Sequence, residues 1–443
     1  MGTTEQLALD QASPRVFRPV HYLGCKLRVL GVLGEVIDAV DPSRGGLLDL
    51  FAGSGVVASH FAAKRPVIAA DIQEYARVLA AALMAPKALS TDDLDDLVAV
   101  AALPCEDGVA GLIAREAQAV ASAESGSAEA LCAIVEHGSV AANAIEPRAG
   151  EPALADVLRL AAKRLPRTPE NVLTRFYGGV YFAYDQAHAL DRLACAARRL
   201  AQPQRDIALA AVMSTASEIV SSVGNQFAQP LRPRDRHGRP KEEALRTLIR
   251  RRQVSVPEVF AGWVDRYRRL ASRSHAGVAV RGEFSEILAD PPGEVSVVYA
   301  DPPYTRDHYS RYYHVLETIA RGDEPDLSRM RVGNKARISR GLYRTERHQS
   351  PFCVKSQAPG AFRRLLAGAR NLEVPLVISY SPHGDGSATR PRLMAIEAIT
   401  EIAADFYTDI DTMSAGSVAH SKLNASRLNS GIVYDGEILI VCR

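Results

Sequence analysis

Two short stretches of this sequence bring together residue types that can do chemistry. The first is Asp301-Pro302-Pro303-Tyr304, directly after the apolar run 296–300. Proline has no N–H, so a strand ladder must end there. Pro303 in turn holds Pro302 extended, which keeps its carbonyl out of a helix. The result is a rigid arm that presents acceptors, the Asp301 carboxylate and the Pro302 carbonyl, and an exocyclic amine with two N–H bonds fits that pair. Tyr304 adds a flat ring suited to stacking on a base. The letters A-D-P-P also occur at 289–292, but there Asp290-Pro291-Pro292-Gly293 precedes the strand. Pro-Gly is turn punctuation, so that copy reads as a loop.

The second stretch is Asp49-Leu50-Phe51-Ala52-Gly53-Ser54-Gly55. An apolar run of strand length, 47–51, stops at a small-residue turn, and helical spacing resumes from Val56. Gly53 and Gly55 let the backbone turn tightly and approach a ligand, and the following helix offers its N-terminus. The dinucleotide fingerprint would place a third glycine at position 58, which is Ala58, so pyrophosphate is not the best reading. Asp49, just before the turn, suits a ligand carrying an ammonium. A second strand, 66–70, ends in Asp71, where an acid accepts hydrogen bonds from ribose hydroxyls.

These elements are the first half of a doubly wound nucleotide-binding sheet. Sheet signals then disappear for about two hundred residues, although one βαβ step takes only about 30. The surplus predicts a second, mainly helical domain. Within it, 76–165 is alanine-rich and 121–150 reads as loop or linker. From Asp185 onward, Leu190, Leu193, Ala194, Ala197 and Leu200 share one helical face. Further helices are expected over 204–222, 241–252 and 257–273, and strands resume at 296–300, 375–381 and 436–442.

At 443 residues, 47% hydrophobic and 23% charged, the chain has an ordinary globular balance. Its net charge of +2 means that an anionic partner must be met by a local patch. The stretch 229–252 offers one, with nine Lys/Arg against three Asp/Glu. Arg232, Arg234, Arg236, Lys241 and Arg250 are the candidate phosphate contacts. A second basic-aromatic segment, 263–273, reads as a helix. The six cysteines are scattered without metal-ligand spacing, which points to reduced thiols, a cytoplasmic protein and no metal. No secretory leader or membrane span is expected.

Asp49 to Gly55 resembles motif I, and Asp301 to Tyr304 motif IV, of the S-adenosylmethionine-dependent amino-methyltransferases, specifically the Dam-like DNA adenine-N6 methyltransferases. HYLGCKLRVL (21–30) resembles their motif X, Gly282-Glu283-Phe284 their motif III, and 375–380 the strand of motif VI. The order X, I, insert, IV is that of the alpha group, and the matched text covers 20–75 and 276–443. The resemblance implies an α/β fold, a Rossmann-like seven-stranded class I methyltransferase sheet with a large helical insert. Residues 1–75 and 276–443 would form the methyltransferase domain, and 76–275 the target-recognition domain. It also implies S-adenosylmethionine as cofactor, held by Tyr22, Lys26, Asp49, Phe51, Gly53, Gly55, Asp71, Glu283 and Phe284. Catalysis would fall to Asp301, Pro302, Pro303 and Tyr304 acting on a flipped adenine of double-stranded DNA. A partner restriction endonuclease or defence-system subunits would keep it company. Cytosine, RNA adenine and protein glutamine are alternative amines, though the last usually goes with N-P-P-Y. A catalytically idle DNA-binding subunit is the alternative of another class.

Overall fold

The computed structural model describes residues 17–24, 26–104, 107–271, 277–306, 308–381, 392–415 and 437–443. Nine strands are present among them: β1 (Leu47–Asp49), β2 (Val67–Asp71), β3 (Val278–Arg281), β4 (Val297–Ala300), β5 (Arg329–Val332), β6 (Lys335–Ile338), β7 (Leu376–Tyr380), β8 (Ile410–Ser414) and β9 (Ile438–Cys442). Seven form one sheet in the order β3-β2-β1-β4-β7-β9-β8, while β5 and β6 form a separate ribbon. All neighbours in the large sheet run parallel except β9, which is antiparallel to both β7 and β8. This is the sheet of a class I methyltransferase fold.

The central strands read as continuous apolar runs because both faces are covered. Leu48, Val298 and Ile378 join a core with Phe362 and Leu365 on one side. Leu47, Val297 and Val377 join a core with Ile37 and Phe61 on the other. That period of two is the alternation of strand side chains across a sheet. The expected strands 47–51, 66–70, 296–300, 375–381 and 436–442 all fall on observed ones. β3 and β8 lie at the two edges and are mostly exposed or half-buried, so no apolar run announces them.

Between β2 and β3 the described elements are helices. The stretch 121–150, expected as linker, instead carries the end of helix Asp107–Glu124 and the helices Glu129–His137 and Val140–Ile145. The reason is tertiary: Leu131, Ile134 and Val140 pack with Leu112, Leu154 and Leu158 in a core of their own. The polar letters mark a turn near 125–127. A larger core joins the insert to the sheet-flanking helices: Leu190, Val212 and Phe260 cluster with Leu79 of helix Glu74–Leu83 and Leu316 of helix Ser310–Arg321. Helix Gln204–Ile219 runs through this core and is buried nearly all round.

One buried ion pair ties three insert helices together. Arg252 Nε lies 2.8 Å from Glu116 Oε1, Arg252 Nη2 donates to the Gly179 carbonyl at 2.6 Å, and the Tyr184 N–H donates to Glu116 Oε2 at 2.7 Å. Burial pushes the Glu116 carboxyl up, and Arg252 opposes that shift. Removing the guanidinium would strand a buried carboxylate, a loss that typically costs about 3–5 kcal/mol. Arg252→Met is therefore expected to lower the urea midpoint of the insert's helical signal, whereas Arg250→Met, at an exposed position, should leave it unchanged.

Candidate active site

The carboxyl ends of β1 and β4 set the floor of a cleft, with Asp49 paired in register to Tyr299. After β1 the chain enters the glycine turn, where Gly53 has φ +52° and Gly55 φ +75°. Such values suit glycine, and space demands it too. A Cβ on Gly55 would meet the Ala80 Cα at 2.8 Å, and one on Gly53 would meet the Tyr22 hydroxyl at 2.5 Å. Asp71, at the tip of β2, braces the turn: its carboxylate accepts from the Gly53 N–H at 3.0 Å and the Gln73 N–H at 2.9 Å. Burial pushes its pKa up to about 6, moderated by those amides. Tyr22 is fixed by stacking on Tyr313, with ring centroids 4.8 Å apart and planes 11° off parallel.

Asp49 is buried, and neither of its oxygens is in a hydrogen bond of normal geometry among the described residues. Burial, with Asp301 and Asp71 adding repulsion, pushes its pKa up to about 8, and the nearby amides of Phe51 and Ala58 only moderate the shift. An orphaned buried carboxylate calls for a cationic partner. Beside it, Phe51, Phe284 and Phe352 form an aromatic trio with centroids 5.3–5.8 Å apart. Glu283 caps the helix Phe284–Ala289, accepting from the Ser285 N–H at 2.7 Å.

Across the cleft lies the Asp301 arm. Lys26 Nζ sits 3.0 Å from Asp301 Oδ1 and 2.8 Å from Glu437 Oε1, and the Ser379 hydroxyl donates to Glu437 Oε1 at 2.5 Å. Burial opposes the charge on Lys26, but Asp301 and Glu437 outweigh it and hold its pKa well above the ordinary value. Burial pushes the Asp301 carboxyl up to about 6; Lys26 pulls it down and Glu437 pushes it up. Among the described residues Asp301 Oδ2 and the Pro302 carbonyl accept no hydrogen bond, so both acceptors of the arm are available. Tyr304 is held by Arg392, whose guanidinium lies 4.3 Å from its ring centroid, and by the Tyr380 ring at 5.1 Å. The Leu393 N–H bonds the Tyr304 carbonyl at 3.3 Å.

The cleft lining thus gathers Tyr22, Lys26, Asp49, Phe51, Gly53, Asp71, Glu283, Phe284, Asp301, Pro302, Pro303 and Tyr304. Gly55 stands one step back, in the packing of the turn on Ala80. Sequence reasoning missed Glu437, Ser379 and Arg392; Tyr313 falls in the stretch 305–313 that it expects to help enclose the base, and the structure stacks it on Tyr22. Glu437 is 411 positions from Lys26, and no local pattern marks a single acid at the foot of an apolar strand.

The basic stretch divides. Arg232, Arg236, Lys241 and Arg250 are exposed, but Arg234 is half-buried in ion pairs with Glu129 at 2.8 Å and Glu136 at 3.2 Å. Arg251 and Arg252 turn inward to backbone carbonyls and Glu116. The triplet at 250–252 therefore offers a partner Arg250 alone. Among the described residues no helix is long and apolar enough to cross a membrane, and no group of three His, Cys, Asp or Glu could hold a metal ion. Cys132, Cys195, Cys353 and Cys442 form no disulfide among the described residues, and Cys25 and Cys105 lie outside them.

Residues 22–102 and 268–343 match the family model described as D12 class N6 adenine-specific DNA methyltransferase. The modification methylase LlaI of Lactococcus lactis subsp. lactis is 31% identical over 142 residues, covering 31% of this chain and 20% of the relative. The chain thus spans about a fifth of that relative's length. No solved structure matches this chain. Both matched segments of the family model carry cleft residues, the glycine turn in one and the Asp301 arm in the other, and the unmatched 103–267 falls within the helical insert.

Removing the shared ammonium should be read out by pH. In Lys26→Met, Asp301 loses the cation that favours its charged form, so its folded pKa rises further above the unfolded value. A group shifted upward contributes stability that is lost as pH rises through the folded pKa. The stability gap between Lys26→Met and the parent chain should therefore widen from pH 5 to pH 8 in chemical denaturation. A gap independent of pH would remove Lys26 from the site's electrostatics.

Proposed function

We propose that this chain is a site-specific DNA methyltransferase that transfers a methyl group from S-adenosylmethionine to the N6 amine of an adenine in duplex DNA. The observation that carries this reading is the unpartnered acceptor pair, Asp301 Oδ2 and the Pro302 carbonyl, across the cleft from the orphaned carboxylate of Asp49. The residues present fit the cofactor. Asp49 would accept its ammonium, Phe51 would help shape the pocket for its methionine, Phe284 would pack on its adenine ring, and Gly53 leaves room beside Tyr22 and Asp71. Tyr22, Lys26, Gly55 and Glu283 complete the proposed binding set. S-adenosylmethionine, when bound, supplies a methyl group already activated on a sulfonium.

The difficulty left to the protein is the amine, whose lone pair is delocalised into the base. Accepting both amino hydrogens at Asp301 and Pro302 draws the nitrogen toward tetrahedral geometry and frees that lone pair, by orientation and electrostatics. With the methyl passing to nitrogen and the electron pair of its former bond passing to the sulfur, which leaves as a neutral thioether, the nitrogen would gain positive charge and shed a proton, for which the Asp301 carboxylate is the adjacent acceptor. Tyr304, pinned by Arg392, offers its ring to the base, which must leave the helix at a cost of a few kcal/mol. Pro303 keeps the arm rigid. Arg232, Arg236, Lys241 and Arg250 are proposed phosphate contacts on the insert, which would act as the target-recognition domain. The relative's name, modification methylase, supports a restriction-modification setting with a partner endonuclease.

The test is expression in a host lacking adenine methylation, followed by mapping of modified bases in genomic DNA. N6-methyladenine at one recurring motif is expected. Asp301→Ala should abolish the mark while cofactor affinity, measured by calorimetry, changes by less than about threefold. Modified cytosine or modified RNA alone would redirect the substrate, and near-normal methylation by Asp301→Ala would sink the assignment. Because a protonated Asp301 donates where it must accept, the rate should also fall as pH drops through about 6.

A further inference from the structure

The ribbon β5–β6 went unread in the sequence and has no part in the cleft. Its register pairs Met330 with Arg337 and Val332 with Lys335 on one face, and Arg329 with Ile338 and Arg331 with Ala336 on the other. Every residue from 329 to 337 is exposed. A lone two-stranded hairpin is marginal in water, so this one depends on its base. There Leu327 and Ile338 are buried, the Ile338 N–H donates to Glu146 Oε2 at 3.1 Å, and the Ser328 N–H donates to the Tyr343 carbonyl at 2.7 Å. The fold thus anchors the ribbon's foot and leaves both faces of its tip in solvent.

The charge on that tip has one sign. Residues 329–340 hold five Lys/Arg and no acid. Arg337 approaches Glu146 at 3.6 Å, whereas Arg329, Arg331 and Lys335 pair with no acid among the described residues. Between these cations Met330 is 53% and Val332 54% exposed, an apolar pair at the tip. An exposed apolar pair ringed by cations suits an anionic partner that also has apolar surface to offer. The major groove of DNA supplies both, phosphates at its rims and thymine methyls on its floor, and it admits a two-stranded β-ribbon.

Position agrees. The ribbon follows helix Ser310–Arg321, whose first residue lines the cleft, and Arg344 on the return limb donates to Thr318 of that helix at 3.0 Å. Arg340, at the ribbon's foot, donates to the Leu231 carbonyl at 2.7 Å, beside the exposed Arg232. The limbs that carry the ribbon are therefore in direct contact with the basic stretch of the insert and with the helix that follows the Asp301 arm.

We propose that β5–β6 is a groove-docking ribbon for duplex DNA, with Arg329, Arg331 and Lys335 on phosphates and Met330 and Val332 against base edges. This rests on the proposed methylation of DNA. The test uses the full chain, a duplex carrying the mapped motif, a scrambled duplex, and anisotropy titrations from 50 to 200 mM salt, a range in which phosphate contacts dominate the salt dependence. The triple variant Arg329→Gln/Arg331→Gln/Lys335→Gln should bind both duplexes at least about tenfold more weakly, with a salt slope shallower by about 0.9 per lost contact. Met330→Ser/Val332→Ser should weaken binding to the motif duplex alone and leave the slope unchanged. Both variants alter exposed positions and should keep the parent melting temperature and cofactor affinity. A triple variant with parental affinity and slope, while the parent chain methylates DNA, overturns the ribbon's role alone. A parent chain that methylates no DNA overturns the proposed function and the ribbon together.

Discussion

A carboxylate asked to work in its charged form inside a water-poor cleft needs a cation, and the whole site is arranged around that requirement. Lys26 supplies it, yet it is shared with Glu437. Two carboxylates on one ammonium leave the trio with net negative charge. Burial pushes the Asp301 carboxyl up to about 6, Lys26 pulls it down, and the second carboxylate on the ammonium adds to the upward push. Such a group stays largely ionised at pH 7 and still accepts a proton readily, which suits the proposed role of holding an amine and then relieving it of a proton. Burial and the shared lysine together tune the acid.

That arrangement fixes what the scaffold must do. Lys26 comes from the N-terminal segment, Asp301 from the end of β4, Ser379 from β7, and Glu437 from the residue before β9. Only a sheet that places β4, β7 and β9 side by side can bring them together. The antiparallel entry of β9 between β7 and β8 matters for the same reason, because it brings the start of that strand to the carboxyl end of β7. In register, Ile438 pairs with Tyr380, so Glu437 sits level with the end of β7 and near Ser379.

Legibility in the sequence followed the range of the interactions. The glycine turn and the proline arm were readable because their chemistry is local: a positive φ, a missing N–H, an acid at a strand tip. The buried central strands were readable as apolar runs for the same reason. β3 and β8 were not, since an edge strand need not be apolar. Glu437 was invisible because its meaning comes from a lysine at the other end of the chain. The arginines of 229–252 show the opposite error. Composition counts charges, but Arg234, Arg251 and Arg252 spend theirs inside the protein, and a count cannot tell a structural guanidinium from a free one.

The insert explains why so much helical text interrupts the sheet. Helix Glu74–Leu83 flanks β2 and β3 on one side and packs with helix Gln204–Ile219 on the other. Glu317 of the helix that follows the Asp301 arm caps its first turn, accepting from the Glu74 and Tyr75 N–H groups at 3.2 and 3.0 Å. The same helix packs Tyr313 against Tyr22, next to the glycine turn. A shift of the insert against the sheet would therefore press on both walls of the cleft through packed side chains, which resist small deformations. Whatever grips the insert from outside is connected through packed side chains to the Asp301 arm, so the proposed DNA contacts of the insert and the geometry of the cleft are coupled by packing.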